Sequence, residues 1–259
     1  MKHLALAAAL LAIPAAAVAE DTAKPDLRVR VGLGAQIKPK FLGSDETKFA
    51  PLPSIDVAKG DNEFGYGAPD DGISIPVVRS GGFSFGPSAN IASGRKNKDL
   101  DRPIGRVKTT IELGGFAQYD MGSVRLRGEV RKGVNGHDGL VASVGADKVW
   151  RDGDRWLVSL GPRVLWSDSK YQRAYFGLSP AAALASGLPE YRPGSGIHAV
   201  ALQGGGLTQL GKGPWGLFGI ARYERLVGDA AKSPVVRDLG SRNQWTAGLG
   251  LSYTFRVKR

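Results

Sequence analysis

From Gln244 to Phe255 the chain alternates without a slip. Trp245, Ala247, Leu249, Leu251, Tyr253 and Phe255 fall on one side, and Gln244, Thr246, Gly248, Gly250, Ser252 and Thr254 on the other. Successive side chains of a strand point to opposite faces, so this segment predicts a strand with one apolar face and one small or polar face. The stretch from Leu27 to Lys38 repeats the design. Leu27, Val29, Val31, Leu33, Ala35 and Ile37 oppose Arg28, Arg30, Gly32, Gly34, Gln36 and Lys38. A third stretch sets Val124, Leu126, Gly128 and Val130 against Arg125, Arg127, Glu129 and Arg131. Trp156, Val158, Leu160, Val164 and Trp166 form a further apolar stripe with an aromatic at each end. Two segments resist this reading: residues 215–226 mix their faces, and residues 61–78 show no clear period.

Alternation alone also suits a soluble β-sandwich or a lipocalin-like barrel. Two features favour a transmembrane antiparallel β-barrel, an all-β fold. The alternating segments run to about ten or twelve residues, longer than the ~5–6 of a usual soluble strand. The last one also carries aromatics at both ends of its apolar face, as a girdle at each membrane interface requires. The row Arg125, Arg127, Glu129, Arg131 cannot face lipid and fits a polar lumen, where it can pair with neighbouring strands. At roughly 20 residues per strand and connection the chain supports about 12 strands, and counts of 10–14 fit the same length.

Turn residues cluster at 120–123, 135–139, 151–155 and 211–214. Longer connections are expected at 93–107, 179–196 and 228–242. Within the second, Ser179 reads as an N-cap, Pro180 as the first helical residue and Gly187 as the stop of a short helix over Ala181–Ser186. Counting back from the last strand, with both termini periplasmic, places 228–242 and 179–196 outside and 211–214 inside. The same count puts 93–107 on the periplasmic side, where its Arg95, Lys96, Lys98, Arg102 and Arg106 could dock a partner. The triplet Gly204-Gly205-Gly206 is expected to mark a bulge or kink.

The N-terminus sets the compartment. A short basic start, Met1-Lys2-His3, precedes an apolar run to Ala12, then Pro14 and the small-x-small site Ala17-Val18-Ala19. This predicts a secretory signal peptide over residues 1–19 and a barrel domain over 20–259. The competing reading is a membrane anchor, for which Leu4 to Ala19 is short against a span of roughly 20 residues. Export changes the meaning of the +11 net charge. A basic cytoplasmic chain would point to nucleic acid. An exported one meets lipopolysaccharide phosphates, acidic lipids and peptidoglycan carboxylates instead. There are no cysteines, which excludes disulfides and thiol chemistry.

Little in the chain suggests catalysis, a cofactor or a metal. His137 and His198 lack the spaced partners of a metal site. Gly82-Phe83-Ser84-Phe85-Gly86 matches G-x-S-x-G, yet Pro87 and Asn90 interrupt the helix that a hydrolase elbow needs. Phe83 and Phe85 read better as one face of a strand. No catalytic, cofactor-binding or metal residue is expected.

Several longer segments resemble the MipA/OmpV family. They are Ala174-Tyr175-Phe176-Gly177-Leu178-Ser179-Pro180, then Ser186-Gly187-Leu188, residues 191–196, and residues 223–236 from Tyr223-Glu224-Arg225 to Pro234-Val235-Val236. The closing Gly248-Leu249-Gly250-Leu251-Ser252-Tyr253-Thr254-Phe255 is similar to the family's last strand. Gly32-Leu33-Gly34 and Phe41-Leu42-Gly43-Ser44-Asp45 are similar to its opening. Arg256-Val257-Lys258-Arg259 depart from it, because members usually end at the aromatic that serves as an assembly signal. The resemblance implies an outer-membrane barrel without catalytic residues. It also implies a scaffold role, with a lytic transglycosylase and a murein synthase as partners alongside outer-membrane lipids and lipopolysaccharide. The alternative is a channel for small anionic solutes, favoured by inward Arg28, Arg30, Arg125, Arg127 and Arg131. A lipid hydrolase using Ser84 is the third reading.

Overall fold

A computed structural model describes residues 25–96 and 102–258. The expected leader, residues 1–19, lies outside them. Twelve strands form one antiparallel sheet that curls into a barrel. They are β1 (Leu27–Pro39), β2 (Thr47–Lys59), β3 (Ile73–Ser74), β4 (Val78–Ser80), β5 (Phe83–Ala92), β6 (Thr110–Met121), β7 (Val124–Val134), β8 (Leu140–Asp152), β9 (Trp156–Ser167), β10 (Gly196–Gln209), β11 (Trp215–Leu226) and β12 (Asn243–Val257). Neighbours in the chain pair as hairpins from β5 to β12, and β12 then pairs with β1 in unbroken register from Ile37↔Ala247 to Leu27↔Val257.

The alternation places its faces as the sequence requires. Trp245, Leu249, Leu251, Tyr253 and Phe255 point outward and are exposed, while Gln244, Gly250 and Ser252 are buried inside. Leu126 and Val130 face out, and Arg125 and Glu129 are buried in the lumen. The outward side chains form a continuous apolar belt, whose natural solvent is lipid.

Short turns at 122–123, 153–155 and 210–214 lie at the end that carries both termini. The described parts of the first long connection, 93–96 and 102–109, and the connections 168–195 and 227–242 lie at the opposite end, which is therefore extracellular, while Lys98 falls outside the described residues. This corrects the expected position of 93–107. Single strands separate the successive turns from 122 onward, so β6 descends from the outer end to the periplasmic turn at 122–123, and the connection that precedes it lies outside.

Among the described residues four helices cover that end: α1 (Ser169–Phe176), α2 (Pro180–Ser186), α3 (Gly228–Lys232) and α4 (Pro234–Arg237). In α2 the Ser179 side chain accepts from the Ala182 N–H and Gly187 takes φ +72°, as the capping residues foretold. Two apolar clusters lie beneath the helices. One gathers Tyr171, Tyr175, Phe176, Leu226 and Val236; the other joins Phe41, Ile104, Leu178 and Val235.

The segment that resisted periodicity has an unusual path. From the periplasmic end of β2, residues 60–72 turn inward and climb through the lumen. The chain then re-enters the wall as β3 and β4, two pieces of one interrupted strand that descends along β5. The wall thus has ten long strands and one broken one. Gly204, Gly205 and Gly206 continue the β9–β10 register without a bulge, and the irregularity falls at Ile197/Ala199 instead. Gly205 faces the inner segment: a Cβ there would meet Pro69 at 3.4 Å, an ordinary contact distance.

Candidate functional site: a plugged, charge-lined lumen

Residues 60–72 enter the lumen from below, and side chains that hold them come from β1 and from β7 to β11. At the bottom, Phe64 stacks beneath two guanidinium groups, Arg28 at 4.8 Å and Arg30 at 4.3 Å from its ring centre. The Phe64 N–H donates to Asp154 at 3.0 Å, and Arg151 donates to the Phe64 carbonyl at 3.1 Å. Tyr66 lies under Arg125 at 4.6 Å. Arginine over an aromatic face gains from the ring quadrupole, most where water is excluded. A tight turn follows. The Ala68 N–H donates to Asp71 Oδ2 at 2.9 Å, and the Asp71 N–H donates back to the Ala68 carbonyl at 3.0 Å. This turn aims two successive carboxylates in different directions.

Asp70 receives Arg163 Nε at 3.0 Å, Arg222 at 3.4 Å and the amide of Gln203. Asp71 receives Arg125 and, at 3.4 Å, Arg127. Beneath them, Asp147 on β8 ties two of the same arginines together, Arg125 at 2.7 Å and Arg163 at 2.8 Å. Its side chain is 1 % exposed. Charges buried this deeply require partners, because an isolated one costs several kcal/mol of desolvation. The ladder continues upward through Glu129, which meets Arg131 at 2.9 Å, and Glu112, which also meets Arg131 at 2.9 Å. Arg222 is clamped on its other side by Glu224.

The sequence placed Arg28, Arg30, Arg125, Arg127 and Arg131 in the lumen, and all five are there. It missed Arg163, Arg222, Asp70, Asp71 and Asp147. Residues 215–226 had looked mixed because both faces of β11 are apolar in its lower half. Leu217 faces out, and Phe218 and Ile220 face the inner segment.

The two histidines have structural settings. His137 Nδ1 accepts from the Gly139 N–H at 3.1 Å, so its Nε2–H donates to Glu112 at 3.0 Å. His198 meets the Ser167 hydroxyl at 3.0 Å. Among the described residues no cluster of metal-ligating groups occurs. Ser84 lies at the periplasmic start of β5, a strand rather than an elbow, and both histidines sit at the opposite end.

Over the lumen, the extracellular loops close on one another. Arg95 donates to the Tyr175 carbonyl at 2.8 Å and the Gly105 carbonyl at 3.0 Å, and Arg102 reaches the Ser186 carbonyl at 3.0 Å. Burial pulls the Arg95 guanidinium down to about 10 and pushes the Tyr171 and Tyr175 phenols well above the ordinary tyrosine value. The Ser233 hydroxyl donates to the Phe176 carbonyl at 2.6 Å, tying the 227–242 loop to α1.

The fold is similar to several solved barrels at low sequence identity. The COG4313 outer membrane channel from Pseudomonas putida F1 matches with a TM-score of 0.41 and 10 % identity, over 95 % of this chain and all of that one. The translocator domain of autotransporter NalP from Neisseria meningitidis matches with a TM-score of 0.36 and 13 % identity, over 91 % and 90 % of the two chains. No curated protein matches the sequence. Residues 31–255 match the family described as MltA-interacting protein MipA. With nearly the whole barrel inside that match, the chain belongs to the MipA family of outer-membrane β-barrels.

Proposed function

We propose that this protein is a non-enzymatic scaffold of the outer membrane that docks murein-remodelling enzymes on its periplasmic face. Residues 1–19 serve as its export signal. The observation that carries this reading is the occupied lumen. Residues 60–72 are ion-paired across the barrel, and the loop helices close the outer end. A wall so filled offers surfaces rather than a path, which counts against an anion channel. The family's description, MltA-interacting protein, supports a lytic transglycosylase as one partner, and a murein synthase is the second expected partner.

The basic loop 93–107 is extracellular and cannot serve as the docking site. Docking falls to the periplasmic turns around Asp120, Asp152, Arg155 and Lys212. The test is capture from crosslinked envelopes through a tag inserted beside Leu184, which is 88 % exposed on α2. Recovery of a lytic transglycosylase above an unrelated barrel supports the scaffold. Its loss on reversing Arg155 and Lys212 locates the surface. Recovery of assembly factors and lipopolysaccharide alone removes the reading.

A further inference from the structure

The sheet does not close on itself. β2 pairs only with β1, and β3 and β4 pair only with β5, so one gap runs down the wall between them. The gap has a topological cause. β2 and the β3–β4 strand both descend toward the periplasm, and the ascending strand that should separate them is residues 60–72, which climb the lumen instead.

Both free edges carry proline at the positions that would bond across the gap. On β2, even-numbered backbone groups face β1: the Lys40 N–H donates to Glu46 and the Gly60 N–H to Asp26. The register is uniform between those points, so Pro51 and Pro53 turn their donor-less nitrogens to the gap. On the other edge, the Ile75 and Val77 N–H groups bond to Pro87 and Phe85 of β5, so Pro76 between them also faces the gap. Edges lacking these donors repel an added strand. The gap is therefore unsuited to a second copy or a partner's strand.

Behind it lies a cavity of about 800 Å³ at the periplasmic half of the lumen. Its lining includes Ile55 and Val57, which point to the lipid side, and Tyr66 and Arg125, which point inward. One cavity thus reaches both sides of the wall. Most of its arginines are paired: Arg125, Arg127 and Arg151 all hold carboxylates. The Arg79 side chain on β4 is exposed and makes no hydrogen bond or ion pair among the described residues.

We propose that this gap is a lateral binding site for an anionic phospholipid of the periplasmic leaflet. One acyl chain lies along Ile55, Val57, Ile75 and Val77, which are 54–70 % exposed, and the headgroup is held by Arg79 near the periplasmic hairpin. The acyl chain covers edges that hydrocarbon could otherwise reach only at the cost of bare backbone groups, and the cation selects the head by charge.

Native mass spectrometry of the detergent-solubilised barrel tests this, with phosphatidylglycerol, phosphatidylcholine and oleate as probes. The wild-type barrel retains one phosphatidylglycerol in preference to phosphatidylcholine. Arg79→Glu weakens that retention at least tenfold, and Arg79→Lys restores it. Ile75→Trp, which fills the gap, abolishes it while the heat-modifiable mobility of a folded barrel persists. Retention of oleate in place of phosphatidylglycerol, with the same Arg79 dependence, keeps the site and assigns it to free fatty acids. Equal retention of the two phospholipids, indifference to Arg79→Glu, or a dimer bridged at β2 overturns the proposal.

Discussion

Around Asp70 and Asp71 the barrel interior is held by charge, whereas around Phe176 and Val235 it is held by apolar burial. The lower region joins residues from five strands, β7 to β11, through ion pairs and hydrogen bonds. The upper region buries Phe176 and Val235 completely beneath short helices. The difference matters because the two kinds of contact respond to damage differently. A buried pair contributes little net stability, yet removing one partner strands the other charge at a cost of about 3–5 kcal/mol. An apolar contact contributes directly, by about 25 cal/mol per Å² removed from water. The plug is thus fixed in position by its charges, while the cap adds stability.

The strongest way to break this comparison is to free the plug. Asp70→Asn together with Asp71→Asn leaves Arg125, Arg163 and Arg222 short of partners on the lumen wall. Planar-bilayer recordings are expected to change from a silent barrel to an anion-selective conductance. A variant that stays folded and silent shows that residues 60–72 are held by their aromatic anchors and not by their charges.

Next in size is the cap. Phe176→Ala empties a fully buried position and costs about 3–5 kcal/mol by the usual large-to-small rule. Proteolysis of intact cells reads it as cleavage near α1 while the barrel stays heat-modifiable. Ser233→Ala removes the cap on the Val235 N–H and the bond to Phe176, and costs about 0.5–2 kcal/mol. Equal barrel-wide loss for both variants would merge the two regions into one cooperative unit.

The smallest effect is alkaline. Buried Tyr171 and Tyr175 hold their protons above the unfolded value near 10, so their contribution is complete below that pH and falls as pH rises past it. Arg95, lowered to about 10, acts in the opposite sense, because the unfolded chain keeps its proton longer. Two phenols against one guanidinium leave a net loss. Tyr171 and Tyr175 should titrate late in the tyrosine absorbance of the native barrel. In Phe176→Ala they should titrate earlier.

The wall was legible and the interior was not. Strands such as β12 and β7 declare themselves by period, since each residue's face depends only on its neighbours in the chain. The α2 helix was legible for the same reason, through Ser179, Pro180 and Gly187. Asp70 is different: Arg163 lies 93 residues away, Gln203 133 and Arg222 152. No local pattern encodes such a meeting. The absence of any period in 61–78, taken with Pro69-Asp70-Asp71-Gly72, was itself the one available sign that this segment leaves the wall. The extracellular placement of 93–107 was readable from the turns at 122–123, 135–139 and 153–155, which leave one strand between each pair.

The unpaired edge of β2 also bears on the order of assembly. From β5 to β12 each strand meets its sequence neighbour, so that arc can grow hairpin by hairpin with low loop-closure entropy. The β1–β2 hairpin has no such neighbour: it joins only through β12, at Leu27↔Val257, across almost the whole chain. Contacts this distant in sequence form slowly. The expected sequence is an arc completed first and a hairpin docked last. Because residues 60–72 are tethered directly to β2, that final docking step is also the one that delivers the plug.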